Sequence, residues 1–278
     1  MTEYSHPTIL ITGASKGVGA ACALAYAKAY KNGLNLVLVA RNLAPLEQIK
    51  TQLASYTNCQ TLIIQADVAL LNDCERIVAQ AVEQFNEINV LVNNAGVHHR
   101  GEFSKLHAQH VAAMVDVNLR APLVLTSLAL KHMRENTVNA VVMVGSLAGL
   151  TPLQGAATYS GTKAGLRAFT YALHDELASK HINIAVVSPG PIDTGFIMDE
   201  IDQVEDIVYS QPMSSAEQVA DAIVQLSHSS KTEIAMPKVS GKLATLSYLF
   251  PRFRRSVRGL LYRIGARNKA KYRQVHRK

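Results

Sequence analysis

The chain has 278 residues, enough for one large α/β domain or two small ones. A hydrophobic share of 48% against 18% charged residues excludes a disordered chain and implies a substantial core. The net charge of +7 is unevenly spread. Residues 238–278 hold 13 of the 28 Lys and Arg and no acid, so residues 1–237 are net acidic, which excludes a basic body built for nucleic acid.

Met1 to Pro7 has no basic region followed by an apolar run, so no secretory leader is expected. The first apolar run, Thr8–Ile11, leads into Thr12-Gly13-Ala14-Ser15-Lys16-Gly17-Val18-Gly19 and a helical stretch, Gly19–Tyr30. Glycines at this spacing permit a tight turn, close approach of backbone to a pyrophosphate and close helix–strand packing. The helix start offers that anion free N–H groups and a positive dipole end. Gly13, Ser15, Lys16, Gly17, Val18 and Gly19 are therefore candidate phosphate-binding residues. The second run, Asn35–Ala40, ends in Arg41-Asn42. A carboxylate here would accept hydrogen bonds from adenosine ribose hydroxyls and repel a 2′-phosphate, whereas a guanidinium pairs with phosphate. Arg41, with Lys16 as second cation, favours NADP(H); a solvated surface arginine is the plain alternative.

A helical stretch at Leu43–Ala54 precedes the third run, Thr61–Gln65, which is followed by Asp67 and Val68. Asp67 either hydrogen-bonds an adenine amino group or caps the helix beginning near Leu71 and covering Asn72–Phe85. The fourth run, Val90–Val92, ends in Asn93-Asn94-Ala95-Gly96, at the sheet edge where open α/β folds bind ligand. His98 and His99 line a substrate entrance or are loop surface, and form no metal box. Asn118 lies mid-helix among apolar residues, where satisfaction by backbone or water is the ordinary explanation. No stretch reaches the ~18 continuous apolar residues of a membrane-spanning helix.

The fifth run, Ala140–Val144, ends at Ser146, 13 residues before Tyr159. Tyr159 and Lys163 stand four apart in the helical stretch Ala156–Ser179 and so share a face. A phenol of pKa ~10 is a poor acid or base at neutral pH, and a neighbouring ammonium is expected to lower it. Such a tyrosine can protonate a carbonyl oxygen as hydride arrives, or take the hydroxyl proton in reverse. Ser146 is expected to hold the substrate oxygen against it. The sixth run, Asn183–Val187, stops at Ser188-Pro189-Gly190-Pro191 and opens an irregular stretch to about Pro212, with Ile192 and Thr194 in it. Glu233–Met236 is a weaker seventh strand. The alternation predicts a doubly wound parallel sheet with helices on both faces, one domain over residues 1–237, and a C-terminal extension over 238–278.

These motifs together resemble the short-chain dehydrogenase/reductase family. TGxxxGxG (Thr12 to Gly19), NNAG (Asn93 to Gly96), Asn118, Ser146, YxxxK (Tyr159, Lys163) and PGxxxT (Pro189, Gly190, Thr194) stand in family order across residues 8 to about 237. The resemblance implies a Rossmann fold with a seven-stranded parallel sheet and interconversion of a carbonyl and a secondary alcohol with NADP(H). Tyr159 would be the general acid/base, Lys163 would tune it and bind the nicotinamide ribose, and Ser146 would orient the substrate oxygen. Asn118 would hold a proton-relaying water. Asn94, Ala95, Gly96, Pro189, Gly190, Ile192 and Thr194 would meet the cofactor, Thr194 near its carboxamide. The resemblance also implies a homo-oligomer, dimer or tetramer, and no metal. An NADP(H)-binding sensor or scaffold is the other class, and the complete set of Tyr159, Lys163, Ser146 and Asn118 argues against it.

Leu147, Leu150, Leu153, Phe196, Ile197 and Met198 suit a pocket for a hydrophobic or lipid-like substrate, or pack the loop on the core. Cys22, Cys59 and Cys74 have neither pairing nor metal-ligand spacing and are expected to be reduced thiols of a cytoplasmic protein. In the tail, Pro251 marks a helix start. Phe250, Phe253, Val257, Leu260, Leu261 and Ile264 fall within roughly a 100° arc of a helical wheel, with Arg252, Arg255, Arg258, Arg263 and Arg267 mostly away from it. Such a basic amphipathic helix suits an anionic membrane surface, or else packs on its own domain or a sister subunit; nucleic acid is the least favoured partner.

Overall fold

The computed structural model describes residues 6–56, 58–134 and 139–276. Seven strands form one parallel sheet: β1 (Thr8–Thr12), β2 (Leu34–Ala40), β3 (Cys59–Gln65), β4 (Val90–Asn93), β5 (Asn139–Val144), β6 (Ile182–Pro189) and β7 (Glu233–Met236). Their order is β3-β2-β1-β4-β5-β6-β7, so the chain runs outward from β1 to one edge, then crosses back and fills the other. The reversal between β1 and β4 leaves a crevice at the carboxyl ends of the strands. The weakest strand by sequence, β7, pairs with Val186–Pro189 of β6, which carries that strand two residues beyond its expected end.

The helices are α1 (Gly17–Ala29), α2 (Leu43–Leu53), α3 (Leu71–Phe85), α4 (Ala108–Val115), α5 (Ala121–Ala129), α6 (Leu147–Leu150), α7 (Ala157–Glu176), α8 (Gly195–Met198), α9 (Ala216–Ser227), α10 (Lys238–Leu249) and α11 (Pro251–His276). Alternate strand residues feed two cores. Ile9, Ile11, Leu36 and Leu38 pack under α1, α2 and α9, while Leu10, Val37, Val39 and Leu91 pack under α3, α5 and α7. Burial on both faces explains why these strands read as continuous apolar runs. The stretch Ala108–His132 is long and apolar enough to cross a membrane by length and composition. Here it is a layer helix, with Met114, Asn118, Ala121, Leu125 and Ala129 buried. A single π-helical turn, Asp116–Arg120, interrupts it. The three cysteines are free thiols, Cys22 and Cys74 buried.

The tail docks at two places. Ala244 of α10 packs on Leu147 and Leu150 of α6. Helix α11 starts at Pro251 as expected, and its second half lies on the 3₁₀ turn Asp206–Ser210. A Cβ on Gly265 would fall 1.8 Å from the Asp206 carbonyl oxygen, so only glycine allows this approach. Around it the buried Lys269 ammonium donates to Val204 O (2.6 Å) and Asp206 Oδ1 (3.0 Å), and Asn268 Nδ2 donates to Tyr209 O (2.9 Å). Tyr272 covers the fully buried Tyr209. Packing on the chain's own body, one of the alternatives for this helix, therefore describes its second half; Phe253 and Leu260 of the first half, and Phe250 just before it, stay exposed.

Candidate active site

A cavity of about 1100 Å³ runs along the carboxyl edge of the sheet. At one end it is lined by Gly13, Ser15, Lys16, Gly17 and Val18 of the first loop, then by Arg41, Asp67 and Val68. Gly19, in the first turn of α1, does not line it. A Cβ there would lie 2.2 Å from Gly13 O, so this glycine lets the helix start close against the loop. Thr12 ties that loop to its neighbour: its Oγ1 accepts from Asn94 N (3.0 Å) and Ala95 N (3.1 Å). Asn94 Nδ2 donates back to Thr12 O (2.9 Å) and Gly13 O (3.1 Å). Lys16 and Arg41 are exposed at the cavity and neither is ion-paired among the described residues. An extended cavity with a helix start and two free cations at one end fits a phosphorylated dinucleotide. Asp67 does not cap α3, whose N-cap is Leu70 without a side-chain bond. Its Oδ1 instead accepts from Ala69 N (3.0 Å), which holds the turn beside the cavity.

Further along stand Asn94, Ala95, Gly96, Pro189, Gly190, Ile192 and Thr194, and then Ser146, Tyr159 and Lys163. Ser146 ends β5 and caps α6, its Oγ accepting from Ala148 N (3.1 Å). Lys163 Nζ is buried, donates to Val144 O (2.7 Å) and lies 5.8 Å from the Tyr159 ring centre. Burial lowers its ammonium to about 8. The expectation that this cation depresses the Tyr159 phenol is not met. Burial pushes that phenol above its ordinary value, against a hydrogen bond from Ser146 and the positive charge of Arg100. The phenol is thus held protonated at neutral pH.

Asn118 finds its partners in the backbone, the ordinary explanation for a polar residue among apolar helix neighbours. It is fully buried in the π turn, and its amide clamps one residue: Oδ1 accepts from Val97 N and Nδ2 donates to Val97 O, both at 2.8 Å. A third contact reaches Thr162 Oγ1 at 3.5 Å. Both amide ends are engaged, so this side chain fixes the loop after Gly96. Of the apolar candidates, Leu147, Leu153, Phe196 and Ile197 line the cavity, while Leu150 and Met198 pack into satellite cores.

Four further residues line the cavity: His98, Arg100, Arg254 and Arg258. His98, one of the pair read as entrance or loop, stacks on Tyr159 with ring centres 4.1 Å apart, and its buried Nε2 has no partner among the described residues. Burial pushes its imidazole down to about 3, so the ring is neutral. Arg100 pairs with Glu200 (3.2 Å) and donates to Phe196 O (3.2 Å), pinning the loop that brings Phe196 over the site. Arg254 lines the cavity from the tail, as does Arg258, which the helical wheel had set on the outward face. These placements depend on how loops and tail are folded back, which no spacing in the chain reveals.

A family model described as short chain dehydrogenase matches residues 7–205. A ketoacyl reductase of Nostoc sp. is 32% identical over 235 residues, covering 84% of this chain and 79% of that protein. An NADP-dependent 3-hydroxy acid dehydrogenase of Schizosaccharomyces pombe is 31% identical over 230 residues, 81% of this chain and 88% of that protein. Among solved structures, a short chain dehydrogenase from Burkholderia cenocepacia in complex with NADP superimposes with a TM-score of 0.74 at 25% identity, covering 84% of this chain and 97% of that one. The chain belongs to the short-chain dehydrogenase family of oxidoreductases, with its Rossmann-like seven-stranded parallel sheet.

Proposed function

We propose that this short-chain dehydrogenase/reductase interconverts a carbonyl and a secondary alcohol with NADP(H) as hydride carrier, on a hydrophobic substrate, and works chiefly as a reductase. The observation that carries this reading is the convergence of Tyr159, Ser146 and Lys163 in one cavity whose far end presents Lys16 and Arg41. NADPH, when bound, supplies the hydride. Tyr159 Oη donates its proton to the carbonyl oxygen as that oxygen gains charge, and Ser146 Oγ holds the same oxygen by a hydrogen bond. A phenol raised by burial is the acid form required for reduction. Lys163 binds the ribose side of the cofactor and shares its positive charge with the tyrosine. Arg41 and Lys16 hold the 2′-phosphate. Leu147, Leu153, Phe196 and Ile197 receive the apolar part of the substrate.

The test is Tyr159→Phe, with NADPH oxidation followed across aliphatic, steroid and aromatic carbonyls. NADPH binding should be nearly intact and turnover should fall about 10²–10⁴-fold. Near-normal turnover in this variant would remove the acid/base role, and retained NADPH binding with no turnover of any carbonyl by the wild type would favour a sensor or scaffold.

A second reading concerns where the protein works, and the exposed apolar residues of the tail favour it. Tyr248, Leu249, Phe250 and Phe253 are exposed side by side with Arg252 and Arg255. We read this edge as a peripheral contact with an anionic membrane, each cation near such a surface contributing about 1 kcal/mol. Full-length protein should cosediment with anionic vesicles more than with neutral ones, and Arg252→Gln/Arg255→Gln should weaken that preference. Equal sedimentation with both vesicle types would discard it.

A further inference from the structure

Seven Lys and Arg side chains of the described residues are withdrawn from full exposure: Arg100, Lys163, Arg167, Arg254, Arg258, Lys269 and Arg273. Four are ion-paired. Arg100 meets Glu200, Arg167 meets Glu233, Lys269 meets Asp206 and Arg273 meets Asp202. A fifth, Lys163, belongs to the tyrosine pair. The remaining two stand four residues apart on one face of α11, and both line the cavity. Arg258 donates to the neutral Gln154 side chain (2.7 Å), while Glu205 Oε2 accepts from the Tyr262 hydroxyl (3.4 Å). Arg254 has no side-chain partner among the described residues. Between these arginines the wall is apolar: Phe253, Val257, Leu260 and Leu261 of α11, with Leu243 and Ala244 of α10.

Half-withdrawn guanidinium groups that lack a carboxylate give up hydration, here against one neutral hydrogen bond for the pair, from Arg258 to Gln154. Their fork of N–H donors suits a carboxylate or phosphate oxygen pair. From this we infer that the substrate is an anionic amphiphile, an apolar chain bearing the reacting carbonyl and ending in an oxyanion head held by Arg254 and Arg258. The cavity thus has two cationic ends, Lys16 with Arg41 for the cofactor and the tail pair for the substrate head. The inference rests on the carbonyl reductase reading above and assigns to the tail the recognition of the substrate's charge.

With aldehydes as unhindered stand-ins for the ketone, the experiment compares ω-oxo carboxylates of six to twelve carbons, ω-oxodecyl phosphate and the n-alkanals of matching length, in NADPH oxidation by wild type and Arg254→Gln/Arg258→Gln. Wild type should favour the charged compounds, at a chain length set by the span from the arginines to Tyr159. The double variant should raise KM for the charged compounds about 10- to 100-fold, as expected for losing charge-assisted hydrogen bonds, and leave kcat and the alkanal KM nearly unchanged. Whichever of carboxylate and phosphate loses more identifies the head. Calorimetric titration of decanoate, decyl phosphate and decanol provides an arm independent of turnover, in which the variant should lose the preference for the two anions. An equal rise in KM for alkanals would make the arginines mere wall, and a wild type that binds decanoate no better than decanol would overturn the inference. Loss of vesicle binding with unchanged KM would also overturn it and give the two cations to the membrane contact. Alkanal turnover that survives Tyr159→Phe would instead fail the underlying reading, so the two failures are distinguishable.

Discussion

The phosphate loop and helix α11 meet the same cavity from different parts of the chain and are built by opposite rules. The loop is fixed locally. Thr12, Gly13, Asn94 and Ala95 bind one another through four short hydrogen bonds, and the anion site is made of backbone and helix start. Helix α11 lies outside the stretch matched by the family model, carries no acid, and touches the body through a few specific contacts around Gly265 and Lys269. The first arrangement offers a cofactor, in the function proposed above, a loop held rigid by backbone and short side chains. The second closes the pocket with long side chains that can change without disturbing the sheet. On the proposed function the body is therefore the chemistry end of the cavity, and the tail is the end where recognition of a substrate can be altered.

After the loss expected for Tyr159→Phe, the largest effect that sharpens this contrast belongs to Arg41→Asp. A carboxylate at the end of β2 would repel a 2′-phosphate and accept ribose hydroxyls instead. KM for NADPH should rise about 10- to 100-fold, the worth of one or two charge-assisted hydrogen bonds, while KM for NADH changes little or falls. Substrate preference should not move. An unchanged ratio of the two cofactors in steady-state kinetics would remove the phosphate clamp. A simultaneous change in substrate preference would mean that the two ends of the cavity are not separable.

What could be read in the sequence follows the same division. The strands were legible because burial on both faces writes itself as uninterrupted Val, Ile and Leu, as in Leu34–Ala40. Tyr159, Lys163 and Ser146 were legible because fixed spacing on a helix and a strand end puts them together. The Asn118 side chain was found but not its partner, since its clamp on Val97 depends on a π turn that no residue pattern announces. The raised Tyr159 phenol escaped for a related reason: adjacency to Lys163 is visible in a sequence, whereas the depth of burial that outweighs it is not. The tail misled most. A helical wheel sorts side chains by direction around one axis, so Arg258 read as outward; a second surface curving around the helix brings it to the cavity.

The smallest effects, and the ones most able to break the comparison, come from two glycines six residues apart on α11. Alanine in place of glycine favours a helix by about 0.8–1 kcal/mol when nothing else changes. At Gly259 a Cβ meets no atom within 4 Å, so Gly259→Ala should raise stability by roughly that amount. At Gly265 the same Cβ would lie 1.8 Å from the Asp206 carbonyl oxygen, a backbone atom that cannot swing aside. Relief requires the helix to lift, which stretches the bonds from Lys269 to Val204 and from Asn268 to Tyr209 and uncovers Tyr209. Overpacking of this kind costs about 1–3 kcal/mol, enough to exceed the gain in helix propensity. Gly265→Ala should therefore lower the melting temperature, expose the tail to limited trypsin digestion and raise KM for a hydrophobic carbonyl several-fold, with NADPH affinity preserved. Opposite signs from one substitution type on one helix separate docking from helix formation. If both variants gained stability, the second half of α11 would not be docked on the body, and the tail could not be a wall of the cavity.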